Sequence, residues 1–142
     1  MARTAPNTAA FDHPATERIR AYFAAYQRGD SDAYAAQWAY PACLHTGGRW
    51  LVIADAAAMV RSNDAYASAQ RAAGACGGEI LALDTTEIGA DAALVRGRFA
   101  RLRADGSRLD ETAANYLVVR LAAQDGDAAA TWKVAACLAA AG

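Results

Sequence analysis

The sequence predicts an α+β domain, with N-terminal helices packed on a curved, mainly antiparallel sheet. Three observations carry this. Helical spacing of apolar residues dominates the first half of the chain. After Gly77-Gly78 the pattern changes to long β-type runs separated by turn residues. Helices first and strands later is the order of an α+β chain, and 142 residues suit one domain.

Residues 1–12 read as a loose lead-in and 13–140 as the domain. Asp12-His13-Pro14 opens a helix, since proline fits a first turn whose N–H has no partner anyway. Ile19, Tyr22, Phe23 and Tyr26 form its apolar stripe, and Gly29 supplies a left-handed end. Asp30 caps a short second helix carrying Tyr34, Ala35 and Trp38, which Pro41 stops. Gly47-Gly48, between β-type runs in 43–53, marks a tight hairpin. Asp55 caps a third helical stretch with Met59 and Val60 inward; it breaks near Ser62-Asn63-Asp64 and resumes at Tyr66 until Gly74. Strands follow near 79–88, 92–104, 109–121 and 130–139. Their turns are Gly89-Ala90-Asp91, Ala104-Asp105-Gly106 and Gln124-Asp125-Gly126-Asp127.

Composition excludes several classes. Fourteen basic and fifteen acidic side chains nearly cancel, which argues against a nucleic-acid partner. No apolar run approaches the roughly 20 residues of a membrane helix. Met1–Ala10 has no apolar core of a signal peptide, so the expected setting is the cytoplasm. Cys43, Cys76 and Cys137 show neither a disulfide framework nor zinc spacing. His13 and His45 are the two histidines, far apart, and no metal site is expected. GxSxG, Walker A, GxGxxG and HExxH motifs are absent, and no cofactor is expected.

Four segments carry a family resemblance: Tyr22-Phe23-Ala24-Ala25-Tyr26-Gln27-Arg28-Gly29-Asp30, Phe99-Ala100-Arg101-Leu102-Arg103-Ala104-Asp105-Gly106-Ser107, Asn115-Tyr116-Leu117-Val118-Val119-Arg120 and Trp132-Lys133-Val134. In this order, over about 14–140, the chain resembles the NTF2-like superfamily, which includes SnoaL-like cyclases and ketosteroid isomerases. It is most similar to bacterial members without a settled activity. The resemblance implies a cone whose sheet wraps the first helix around an apolar pocket, and a homodimer through the outer sheet face.

It also implies candidate site residues. Tyr22 falls on the position of the ketosteroid isomerases' oxyanion tyrosine, and Asn115 on their strand donor. A phenol and an amide aimed at one carbonyl would stabilise an enolate. Thr46 falls on the position of the base, with His45 beside it. Only one of the two faces the pocket in a regular strand, and only His45 suits proton transfer near neutrality. This departure argues against steroid isomerisation itself. Tyr22 also sits at core spacing, and Asn115 either ties the core together or faces a pocket. Trp38, Trp50, Met59 and Phe99 are core or pocket lining, two roles that use the same residue types.

Arg96 and Arg98 share one strand face, Val95, Gly97 and Phe99 the other. The arginines belong on the outer sheet, where Asp84, Glu87, Asp110 and Glu111 can pair with them; an acidic-ligand site is the alternative. Gly97 fits a sheet bend or room for a pocket ligand. Three functions compete: a cofactor-free isomerase, dehydratase or cyclase acting on a small apolar carbonyl or hydroxyl compound; a ligand-binding protein without chemistry; and a homodimeric interaction module. An open polar-bottomed cavity favours the first two, a plugged one the third.

Overall fold

A computed structural model describes residues 12–123 and 129–139. The expected lead-in and the turn at 124–127 lie outside the described residues, apart from Asp12. The elements run α1 (Pro14–Arg28), α2 (Ser31–Ala36), β1 (Trp38–Thr46), β2 (Arg49–Ile53), α3 (Ala56–Ala72), β3 (Gly78–Glu87), β4 (Ala92–Leu102), β5 (Arg108–Leu121) and β6 (Thr131–Ala139).

Local chemistry sets most of these bounds. His13 Nδ1 accepts from the Ala15 N–H at 3.0 Å and Pro14 opens α1; Gly29, at φ 71°, closes it. Asp30 and Asp55 each accept a backbone N–H three residues on, from Ala33 and Ala58. Gly47 and Gly48, both at positive φ, form the two-residue turn whose twist matches its flanking strands.

Two expectations are corrected. The second helix ends at Ala36, and Trp38 opens β1, with Pro41 inside that strand. Proline fits there because β1 meets β6 at Trp38 and again only from Cys43, while pairing with β2 starts at Ala42. No ladder needs an N–H at 41. The third helix does not break at Ser62-Asn63-Asp64. The side chains of Asn63 and Asp64 bond to α2 instead of competing with their own backbone. Asn63 Nδ2 donates to Ser31 Oγ at 3.1 Å, and Ser31 Oγ donates to Asp64.

The strands form one open, curved sheet in the order β2-β1-β6-β5-β4-β3, antiparallel except for β1 beside β6. Register assigns each residue a face. One row reads Leu51, Leu44, Cys137, Tyr116, Val95, Thr85, and it contains the buried Val95 and Tyr116. Its neighbour reads Trp50, His45, Leu138, Asn115, Arg96, Asp84, on the convex face. Helix α1 packs on the concave side, where Ala15, Ile19, Val118 and Val134 are fully buried.

The arginine faces are as expected for Arg96 and Arg98; Arg98 lies 3.8 Å from Glu111. Asp110 does not join them. It pairs with Arg101, which continues the concave row of Val95, Gly97 and Phe99. Glu87 instead lies 3.7 Å from His13.

Candidate functional site

The three helices do not fill the concave side. They leave a cavity of ≈ 400 Å³ lined by α1, α2, α3 and the inner rows of β1, β4, β5 and β6. Phe99 and Phe23 stack in its wall with centroids 5.3 Å apart. Trp38, Met59 and Phe99 line it, and each is more than nine-tenths buried. Trp50 does not. It stands on the convex face of the edge strand β2 and is 61% exposed.

A cluster of tyrosines forms one region of the lining. Tyr22 comes from α1, Tyr34 from α2 and Tyr116 from β5. Tyr34 Oη donates to Tyr22 Oη at 3.3 Å, and Tyr116 Oη donates to the same oxygen at 3.4 Å. A phenol has one proton. Tyr34 and Tyr116 are both placed to donate to Tyr22 Oη, an arrangement that leaves the Tyr22 proton for an acceptor in the cavity. Trp38 meets Tyr22 edge to face, with centroids 5.9 Å apart, and supports the ring. The Trp38 indole N–H and Asn63 Oδ1 have no partner among the described residues.

The cluster is held in its donor form. Burial, reinforced by the neighbouring phenols, pushes Tyr22 well above the ordinary phenol value of 10.0. Burial also raises Tyr34 and Tyr116. It pushes the Cys137 thiol up to about 12, so that group remains a neutral thiol. A folded pKa above the unfolded one stabilises the fold fully below the unfolded value and loses that contribution as pH rises through the folded value. Stability is therefore expected to be insensitive to these phenols below about pH 10 and to fall above it. Parallel phenolate absorbance and circular dichroism titrations test this: the three phenols should ionise only as the helix signal collapses.

Asn115 is not in this cluster. Its β5 neighbour Tyr116 takes the cavity face, and Asn115 looks out from the convex row between Leu138 and Arg96. The physical reason is strand parity, since a one-residue difference exchanges faces. His45 belongs by parity to the same convex row, 6.2 Å from the Trp50 ring, although it also reaches the cavity rim. Leu44 takes the concave position beside it, and Thr46 lies on the rim.

Sequence reasoning passed over Tyr34, Tyr116 and Arg101. Tyr34 was placed on the second helix as an apolar residue, but nothing local shows that its hydroxyl meets Tyr22. For β5 the alternation is silent, because Ala114, Tyr116, Val118 and Leu117, Val119 make both faces apolar. Arg101 was legible: it follows Val95, Gly97 and Phe99 at period two on a face already read as inward. Among the described residues, no group of histidines, cysteines and carboxylates has the arrangement of a metal site.

Helices laid on the concave face of an open, curved six-stranded sheet, over an apolar cavity with a polar cluster, define a cone of the NTF2-like class. The chain belongs to the family described as NTF2-like protein (DUF6841), whose pattern matches residues 12–141. Solved structures share the fold. An NTF2-like protein with a cystatin-like fold from Novosphingobium aromaticivorans is 19% identical, at TM-score 0.65 over 88% of this chain and 77% of that one. A ketosteroid isomerase-like protein from Erwinia carotovora atroseptica is 18% identical, at TM-score 0.57 over 89% and 92%. A Catenulispora acidiphila protein in complex with S-DNPA is 16% identical, at TM-score 0.62 over 89% and 90%. At these identities the likeness is one of fold. Among curated proteins, none matches the chain.

Proposed function

We propose that the protein holds a small, mostly apolar carbonyl or hydroxyl compound in its cavity, with the ligand's oxygen accepting from Tyr22 Oη. The observation that carries this is the proton count of the cluster. Two phenols donate to Tyr22, so its one proton is directed elsewhere. The walls around it are aromatic and aliphatic, the usual make-up of a small-molecule pocket. The Catenulispora protein of the same fold was solved in complex with S-DNPA.

The contact also suits chemistry. A ligand carbonyl that becomes an enolate gains negative charge where Tyr22 donates, so the bond strengthens as the reaction proceeds. Isomerisation, dehydration or cyclisation by proton transfer is the matching reaction class, and none of these needs a cofactor. A base is required as well. No aspartate or glutamate lines the cavity among the described residues, and His45 at the rim is the remaining ordinary base. Its convex-row position makes binding the leading function and turnover the second.

A thermal-shift screen of phenols, enones and polyketide-like carbonyls tests the reading. A ligand at about 100 times its Kd adds about 2.7 kcal/mol to wild-type stability. Tyr22→Phe, binding about tenfold more weakly, should show only about half of that response, and Asn115→Leu, altered on the other face, should keep all of it. Equal responses from all three proteins would remove Tyr22 from the site.

We also propose a homodimer through the convex face. Trp50, Val52 and Leu138 are exposed there, at 61%, 61% and 45%. Leu94 and Leu117 pair in the row that holds Val52, which makes the apolar area continuous. Val52→Asp with Leu138→Asp should convert the dimer to a folded monomer by light scattering. A wild-type monomer at high concentration would contradict it. The described helices include none long and apolar enough to cross a membrane. The three free cysteines suit a reducing setting, and the cytoplasm is the proposed location.

A further inference from the structure

The cavity has a second polar region, on the concave end of β4. Arg101 lines it there with its side chain 27% exposed. An arginine on a concave, otherwise apolar row needs a reason. Part of it is structural. Arg101 Nε donates to Asp110 Oδ1 at 2.6 Å, Nη2 donates to Asp110 Oδ2, and Nη1 donates to Gln70 Oε1 at 2.6 Å. These bonds tie β4 to β5 and to the last turns of α3.

They do not exhaust the group. A guanidinium has five N–H donors, and three are used here. One on Nη1 and one on Nη2 are left. Asp110 does not line the cavity, while Arg101 and Gln70 do. A molecule inside the cavity therefore meets the positive side of the ion pair. The opposite residue on β3 is Gly78, which has no side chain to place over Arg101. No carboxylate lines the cavity among the described residues.

The geometry points to a ligand with two polar ends: an apolar acid whose oxygen lies on Tyr22 and whose carboxylate lies on Arg101. This rests on the Tyr22 reading and adds the charge of the ligand to it. Arg101 pairs with Asp110 and Val95 with Tyr116, so six steps of strand, roughly 20 Å, lie between the two ends of the site. An extended apolar body is needed to join the two polar ends, and a biphenyl serves as its probe. Arg101 is thus a specificity-determining residue that selects a carboxylate, in a geometry that guanidinium suits better than ammonium.

Calorimetry with three probes tests this: 4-phenylphenol, 4'-hydroxybiphenyl-4-carboxylate and the methyl ester of that acid. The acid should bind wild type at least tenfold more tightly than the ester, and the advantage should shrink at high salt. Arg101→Met should abolish the advantage and leave 4-phenylphenol binding unchanged. The acid and ester comparison in wild type needs no variant, so an unfolded Arg101→Met leaves the test intact. Equal binding of acid and ester, or an advantage that survives Arg101→Met, overturns the inference while the Tyr22 reading stands. Failure of all three probes to bind wild type overturns both.

Discussion

Trp38→Ala should cost about 3–5 kcal/mol of stability, a large fraction of what a domain of this size has. Trp38 is 3% exposed and opens β1 where that strand meets β6. Its ring touches both Tyr22 and Tyr34, with centroids 5.9 and 6.2 Å away. Alanine would leave a void beside the cluster, and the phenols would lose the surface that fixes their rings. Urea unfolding should show a much lower midpoint at an unchanged slope. A loss under about 1 kcal/mol would mean that the cavity region carries little of the core.

Gly97→Ala should cost about 1–3 kcal/mol and reshape the cavity as well. A Cβ at Gly97 would lie 2.5 Å from Phe99 Cζ and 2.6 Å from Cε2. The backbone there is ordinary, so the glycine is needed for space. It makes room for a ring of the protein itself, the one that stacks on Phe23 and meets Tyr116 edge to face. The displaced ring has the cavity as its nearest space, so any ligand should bind more weakly. Phe99→Leu removes the clash, and Gly97→Ala should cost much less in that background. Purely additive costs in the double-mutant cycle would contradict this.

Much of the fold was legible because its signals are local. His13-Pro14, Gly29, Asp30, Gly47-Gly48 and Asp55 each act within a few residues. The errors arose where distant partners decide. Trp38 enters a strand because β6 is there to receive it, and Asn63 stays helical because Ser31 takes its amide. The site was half legible for the same reason. Tyr22 was placed by its helix, but the hydroxyls that orient it come from α2 and β5. Asn115 and Tyr116 differ by one step of strand parity, and apolar residues on both faces of β5 hide which is inward. Arg101 followed a face already read as inward, yet its meaning depends on Gln70 and Asp110, brought to it by α3 and β5.

The central claim is that Tyr22 donates its spare proton to a ligand oxygen in the cavity. The direct measurement is the Kd of 4-phenylphenol for wild type, Tyr22→Phe and Asn115→Leu, by calorimetry at pH 7. A lost hydrogen bond of about 1.5 kcal/mol weakens binding by roughly tenfold. The prediction is that loss in Tyr22→Phe, with affinity unchanged in Asn115→Leu. Equal affinity in wild type and Tyr22→Phe would contradict the claim.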